Sequence, residues 1–541
     1  MIQDITITVL PEQADNKTVI TAKALEALLQ KGIKADADSM ALVFIRKSID
    51  ARHGQLKLCL RYKAYINEDP AKSRPEQIPE WKKTDGRYTV ILIGAGPAGL
   101  FGALRLLENG IKPVIVERGG SAAERKKDIA AISTKNSVDK DSNYCFGAGG
   151  AGTFSDGKLY TRSNKRGDIH RILRIFTAFG ADSRILTDAH PHIGTDRLPS
   201  IITALQKKIE ECGGEFYFHT RCTSLTVENG AVTGIRCVNT KNNTSSDFSA
   251  DAVVLAAGQS AADIYHIMAA AAPASLEAKT FAVGVRVEHP RQLIDRIQYH
   301  GKAAGDSLGA AEYRLTAQEN GRGVYSFCMC PGGFVVPSAT GPDEIVVNGM
   351  SSAARNSAWS NAAIVVEIRP EDIPQQFKEE AEKQGCPVLA GLLFRNSLEK
   401  KAKLNGNGQA APAQRLMDFL EGRDSKTLPK TSYTPGIVPS RLDLWLPEEI
   451  SDRLKAGFKD FDRNMHGFIC PEALLIAVET RTSTPVRISR NKDTMECNGL
   501  RNLYPAGEGA GYSGGIVSSA MDGEKVCSVI IKKLEADHTV R

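Results

Sequence analysis

Residues 90–119 read VILIGAGPAGLFGALRLLENGIKPVIVERG. The apolar run 90–93 ends in Gly94-Ala95-Gly96-Pro97-Ala98-Gly99, and Leu100, Ala103, Leu104 and Leu107 then recur at helical spacing. Asn109-Gly110 closes that helix, and a second apolar run, 114–116, leads to Glu117 and Arg118. Strand, glycine turn, helix and strand in this order form the context in which G-x-G-x-x-G binds a dinucleotide. Gly94 permits the tight turn, Gly96 lets backbone approach a diphosphate, and Gly99 lets the helix lie close on the strand. Pro97 and Ala98 open the helix, whose unpaired N–H groups and dipole favour negative charge. Glu117 stands where a carboxylate accepts hydrogen bonds from an adenosine ribose and repels a 2′-phosphate. A glycine-rich turn that only packs is the competing reading, weakened by the flanking strands, the helix and the acid.

At 541 residues the chain exceeds one ordinary core, so two or three domains are expected. Hydrophobic content of 42% with 24% charged residues describes a globular protein, and a net charge of +6 does not by itself argue for nucleic acid. Eleven cysteines, an odd number without secreted-scaffold spacing, are expected as reduced thiols. No CxxC pair or His/Cys cluster points to a metal. The N-terminus lacks the basic and apolar regions of a secretory signal, and no apolar run approaches the length of a membrane span. A cytoplasmic chain acting on a small molecule, without a nucleic-acid or membrane partner, is the expectation.

Residues 1–70 read as a small basic α/β module: strands at 5–10, 40–45 and 56–65 and a helix at 19–31 that ends at Gly32. Arg46, Lys47, Arg52, His53, Lys57, Arg61 and Lys63 make it basic, a solvated face or, more sharply, a contact for RNA or an acidic partner. A polar linker, 71–86, lies along the next domain. That domain is expected in two parts, 87–280 and 468–541, around an inserted α+β domain at 281–467. The first part continues past a polar stretch, 121–143, into the glycine loop CFGAGGAGTFSDGKL at 145–159. Gly149, Gly150 and Thr153 in that loop suit backbone laid against a flat ring or a phosphate. A helix at 195–212, a strand at 215–218 and the Asn229-Gly230 hairpin follow, and then a buried strand ends at Ala257-Gly258. The insertion alternates as short strands at 281–288, 323–328, 344–348 and 363–368, followed by helices within 371–403 and 414–421 and another opening at 446–450. The last part carries YPAGEGAGYSGGI at 504–516: a strand, a glycine loop with Gly507 and Glu508, and a second helix N-terminus near Gly514, Gly515 and Ile516.

Taken together, the fingerprint, the crossover ending in VVLAAG and the late GEGAGYSGGI resemble FAD flavoproteins of the glutathione-reductase type. CFGAGGAGTFSDGKL, SFCMCPGGFVV, VETRTSTPVRI and YPAGEGAGYSGGI narrow that resemblance to the bacterial FAD-dependent dehydrogenases. Geranylgeranyl reductases and electron-transferring-flavoprotein dehydrogenases are more distantly similar, by the fingerprint and the late GGI alone. The resemblance implies an α/β fold: a Rossmann-like FAD-binding domain of discontinuous segments, an inserted α+β substrate domain and a small N-terminal α/β domain. It implies that Gly94, Gly96 and Gly99 hold the pyrophosphate, Glu117 the ribose, and Cys222 offers backbone to adenine. Gly258 stands beside the cofactor, Glu508 near the ribityl chain and diphosphate, and Gly514, Gly515 and Ile516 at the flavin N1–C2 edge, where a helix N-terminus stabilises charge arriving with a hydride. No second G-x-G-x-x-G is present, so NAD(P)H enters only as a transient donor, and the absence of CxxC disfavours a disulfide reductase.

Four residues are candidates for the chemistry. Cys328 and Cys330 would attack substrate or form an easily reduced disulfide, with buried structural cysteines as the alternative. Arg481 would stabilise an anionic substrate or reduced flavin, or else pair with Glu479. Tyr512 would pack on the flavin or donate a proton, or else simply pack. His289 is a weaker acid–base candidate. The expected activity is FAD-dependent oxidoreduction of a small organic substrate. Two other readings stay open on the residues alone: a flavin-containing RNA-modifying or RNA-binding protein anchored by the basic module, and a sensor that holds FAD without turnover.

Overall fold

The fingerprint strand, Thr89–Ile93, is the centre of a five-stranded parallel sheet. Its order is Leu503–Pro505, Ala252–Leu255, Thr89–Ile93, Lys112–Val116, Glu215–Tyr217. Apart from the edge strand Glu215–Tyr217, these strands are apolar and nearly all buried, as a parallel sheet covered on both faces requires. The computed structural model describes residues 1–51, 55–70, 78–161, 167–301 and 308–540. Arg52 and His53 of the basic module, and 71–77 of the linker, lie outside the described residues.

Both glycine corners leave this sheet at the carboxyl ends of strands, where open α/β sheets bind ligands. The first opens the helix Pro97–Leu107 on Gly96. The second opens the long helix Ile516–Val540, and the two helices pack side by side. Their approach depends on small residues: a Cβ on Gly523 would collide with the Ala98 carbonyl, and one on Gly102 would come within 2.9 Å of the Cys527 sulfur. Gly94 has φ +109° at the turn, and a Cβ on Gly99 would strike the Gly94 carbonyl oxygen. Both match the packing roles read from the motif.

Stretch 121–143, read only as polar, contains a helix, Ala122–Lys135. Its start is a capping box in which the Ser121 hydroxyl and the Glu124 carboxylate exchange hydrogen bonds with each other's backbone N–H. The hairpin at Asn229-Gly230 joins Thr220–Glu228 to Ala231–Asn239, and Ser245–Ser249 completes a three-stranded antiparallel crossover.

The inserted sheet has seven strands in the order Thr316–Glu319, Arg322–Cys330, Trp359–Ile368, Phe281–Pro290, Leu474–Glu479, Ala411–Arg415, Ile437–Pro439. Leu474–Glu479 lies beyond the expected boundary at 467, yet it pairs with Phe281–Pro290 and Ala411–Arg415. Gln414 and Arg415, read as the start of a helix, end the strand Ala411–Arg415, and the helix is Leu416–Glu421. Phe419, Phe458, Phe461 and Phe468 pack edge-on and stacked beneath this sheet.

The N-terminal module is a three-stranded antiparallel sheet, ordered Ile2–Val9, Lys57–Ile66, Met40–Asp50, with the helix Lys17–Gln30 against it. It is hydrogen-bonded to the body: Lys47 N–H donates to the Thr187 carbonyl at 3.0 Å and its own carbonyl accepts from Ala189 at 3.0 Å. The described end of the linker runs along the nucleotide domain, with Lys82 donating to Leu107 and Thr84 to Cys212.

Candidate active site

One cavity of about 850 Å³ lies between the parallel sheet and the inserted sheet. Gly94, Gly96, Pro97 and Ala98 form one corner of its wall and Gly507, Glu508, Gly514, Gly515 and Ile516 another. Glu117, Arg118, Gly150, Cys222, Ala257 and Gly258 line it between these corners, and Cys328, Cys330 and Arg481 line it from the inserted domain. Of the residues singled out in the sequence, Gly99, Gly149, Thr153 and Tyr512 are not part of this wall.

The glycine side is held from behind by buried charge. The Glu117 carboxylate accepts from the backbone N–H groups of Ala95, Gly119 and Gly147, each at 2.9 Å, and so ties the fingerprint turn to the second glycine loop. Oε2 carries only one of these bonds, which leaves it able to accept another. Arg125 lies fully buried beneath that loop and donates to the carbonyls of Asn143, Tyr144, Ala148 and Gly150. Burial lowers its guanidinium only to about 10, so it stays charged at neutral pH. Thr153 donates to the Ala148 carbonyl at 2.9 Å, and a Cβ on Gly149 would collide with its hydroxyl: these two shape the loop from inside. Arg118 pairs with Asp263 and lies 4.5 Å over the Phe146 ring.

A Cβ on Gly96 would project into the cavity, with Gly150 Cα at 4.0 Å its nearest protein atom; on Gly514 it would meet nothing within 4 Å. Burial lifts the Glu508 carboxyl to about 7, against the opposing charge of Lys279, and Gln259 donates to it at 3.0 Å. It is an acid half-protonated near neutrality.

The opposite wall is built from ion pairs. Arg286 donates to Glu479 at 2.9 Å, Asn361 at 2.7 Å and Asn348 at 3.1 Å. Arg481 binds Glu399 and Glu344, with Nη2 at 2.8 and 2.7 Å. Against the upward push of burial, Arg481 holds Glu344 down at about 2. The Glu479–Arg481 pair considered from the sequence does not form: the strand ends at Glu479, and the two side chains part company to meet different partners.

A bulge interrupts the pairing of Arg322–Cys330 between Phe327 and Cys330, and Cys328 has φ +42°. Cys328 is thereby exposed to the cavity while Cys330 is buried and donates to the Cys328 carbonyl at 3.3 Å. Both are free thiols. Desolvation by the enclosing cavity walls pushes the cavity-facing Cys328 thiol up to about 12, and burial raises Cys330 as well, which leaves both protonated at neutral pH and poor nucleophiles. Tyr512 faces away: its ring lies 3.7 Å from the Arg490 guanidinium and its hydroxyl accepts from the Arg490 N–H at 3.0 Å, which is packing. His289 is buried against the Phe468 carbonyl at 2.8 Å, burial lowers it to about 4, and it does not line the cavity.

Several residues on the wall went unnoticed in the sequence. Asp156 binds Arg355 through Nη2 at 2.6 Å, and Arg355 binds Glu312 at 2.6 Å, which meets His190 at 2.9 Å. Lys158, four residues beyond Phe154 in the quoted glycine loop, donates to the Met329 carbonyl. That loop was the available signal for Lys158; Arg355 and Glu312 had none.

A dinucleotide sheet whose two glycine corners open on one cavity is the architecture of an FAD-dependent oxidoreductase, and the family models agree. Residues 154–284 match the model of an FAD binding domain, 280–482 that of an FAD-dependent protein, C-terminal domain-like, and 1–65 a domain of unknown function. The chain belongs to one family of FAD-dependent proteins with an uncharacterized protein of Clostridium beijerinckii, 40% identical over 453 residues that cover 82% of this chain and 81% of that one. Among solved structures it is similar to a geranylgeranyl bacteriochlorophyll reductase-like protein from Thermoplasma acidophilum (12% identity, TM-score 0.37, 84% of this chain and 80% of that one). It is also similar to E. coli quinol fumarate reductase (11% identity, TM-score 0.35, 82% and 71%). The open Cβ positions at Gly96 and Gly514, and the half-protonated Glu508, fit FAD as the cofactor. Among the described residues no helix is long and apolar enough to cross a membrane.

Proposed function

We propose that the chain is a dehydrogenase or reductase that moves two electrons between a small organic substrate and FAD, saturating or desaturating a C–C or C–N bond. The observation that carries this reading is that both glycine corners line the same cavity as Cys328, Arg481 and the charged inserted wall. A nucleotide site that only stored FAD would not need a second wall of buried ion pairs.

In this reading Gly94, Gly96, Pro97 and Ala98 hold the pyrophosphate by backbone N–H groups and helix dipole. The free lone pair of Glu117 Oε2 accepts a ribose hydroxyl, and Glu508, protonated below about pH 7, donates to a phosphate oxygen. Cys222 offers backbone at the adenine end. Gly514, Gly515 and Ile516 present the positive end of Ile516–Val540 to the flavin edge. Bound FAD supplies two-electron chemistry at its isoalloxazine ring. The neutral thiol of Cys328 and the charged Arg481 network keep that part of the cavity shaped and poor in water.

Anaerobic mixing of the FAD-loaded protein with NADH, NADPH and candidate saturated and unsaturated acids and amines tests the proposal. Bleaching of the flavin band by one class and its recovery with the conjugate oxidised class is expected. Bleaching by dithionite alone, with every organic donor inert, would leave a storage or sensing protein instead.

A further inference from the structure

Nearly every guanidinium at the cavity wall or just behind it has a carboxylate partner: Arg286 has Glu479, Arg481 has Glu399 and Glu344, Arg355 has Asp156 and Glu312, Arg118 has Asp263 and Asp141, Arg221 has Asp141. Two cations on the wall depart from this pattern. Arg314 has no ion pair or hydrogen bond among the described residues, and it is exposed at the cavity wall. Lys158 has no carboxylate within ion-pair distance among them; its ammonium donates to the Met329 carbonyl and has two further N–H donors to offer.

The carboxylates nearby do not neutralise this pair. Asp156 and Glu312 are already bound by Arg355, Asp156 also accepts from Ser351, and Glu312 also meets His190. Lys158 stands among these groups: its charge helps hold Asp156 and Glu312 low, and it opposes the burial that raises Cys328 and Cys330. Tyr160, Tyr325 and Phe327, each within three residues of Lys158 or Cys328 in the chain, add aromatic surface to the same cavity. Arg46 of the N-terminal module reaches the Ala189 carbonyl at 3.5 Å, so a further cation stands beside the cavity-lining His190.

We propose that the lobe bounded by Lys158, Arg314 and Cys328 is the substrate site and that it takes the oxyanion, carboxylate or phosphate, of a small molecule with an apolar or ring-shaped body. Donors that no carboxylate takes up are free to meet an incoming anion, and a guanidinium and an ammonium suit a planar or tetrahedral oxyanion. The proposal rests on the reading that FAD fills the glycine-rich half, which leaves this lobe for substrate.

The test uses the FAD-loaded protein. Benzoate, its uncharged isostere benzamide and inorganic phosphate are titrated in, with calorimetry and the flavin difference spectrum as readouts. Benzoate or phosphate should bind saturably, the tighter of the two naming the oxyanion, and benzamide should not bind. Arg314→Ala and Lys158→Met should each weaken binding roughly ten- to hundredfold while FAD content stays at the wild-type level. Arg314 is exposed and makes no bond among the described residues, so its variant keeps the test sound even where Lys158→Met fails to fold. Equal binding of benzoate and benzamide, no effect of Arg314→Ala, or no binding of either anion to protein that holds FAD would overturn the proposal. A chain that takes up no FAD would instead remove the reading on which it rests.

Discussion

Along its fingerprint side the cavity wall is mostly backbone. Glycines stand where a side chain would intrude, and the charged groups that matter grip backbone: Glu117, on the wall, takes N–H groups, and Arg125, behind it, takes carbonyls. Across from it, the wall carried by Arg322–Cys330 and Leu474–Glu479 is side chain, with guanidiniums and carboxylates buried in pairs. The difference suits the two tasks. A cofactor of fixed shape is met by dipoles and missing Cβ atoms, which order little on binding. A substrate is selected by charge, and charge kept out of water needs partners.

If that contrast is right, deleting one partner of a buried pair should do the greatest damage. Arg481→Met strands Glu344 without its cation and leaves Glu399 with Arg395 alone at 3.8 Å, and should lower stability by about 3–5 kcal/mol, read by denaturant unfolding of the cofactor-free chain. A loss under about 1 kcal/mol would mean that the wall tolerates unpaired carboxylates.

On the backbone side the damage should come from added atoms. Gly99→Ala puts a Cβ into the Gly94 carbonyl and should cost roughly 3 kcal/mol in the same assay.

Glu508 separates the two halves by pH. Its folded carboxyl sits near 7 against an ordinary 4.5, so the folded cofactor-free chain keeps a proton that the unfolded chain gives up. That contribution is full below 4.5 and is lost as pH rises through about 7. Melting temperature should therefore fall across this range and FAD should bind more weakly above it. Glu508→Gln should flatten the FAD profile and make the melting profile shallower, the remaining slope coming from Glu524, which burial also lifts to about 7. An unchanged slope in the variant would assign the titration elsewhere.

The smallest effect is expected at Tyr512. Tyr512→Phe removes one hydrogen bond from Arg490 and should cost about 1 kcal/mol or less, with flavin content and reduction rate unaltered. A large loss of flavin reduction would return Tyr512 to the catalytic candidates.

How much of this could be read from residues alone follows the same division. The fingerprint was legible because strand, turn, helix and acid occupy 30 consecutive residues, and each glycine has a local reason. The late corner was legible for the same reason, and the shared cavity joins the two. The ion pairs were not: Arg481 meets Glu399 across 82 residues and Arg355 meets Asp156 across 199, and no periodicity links such positions. Glu479 and Arg481 looked paired because they are two residues apart, but that spacing brings side chains together only while a strand continues. For Tyr512 the sequence left flavin contact and plain packing both open, because a tyrosine in a glycine loop says nothing about which way the loop turns it.

The central claim is that two corners from opposite ends of the chain hold one FAD. The most direct measurement is the ratio of bound FAD to chain in the wild type, Gly96→Val and Gly515→Val, each purified, incubated with FAD and desalted. One FAD per chain is expected for the wild type. Near-complete loss is expected in both variants with melting of the cofactor-free chains little changed, because a Cβ at Gly96 or Gly515 meets no protein atom closer than 3.9 Å. A wild type that takes up no FAD, or variants that both retain it fully, would contradict the account.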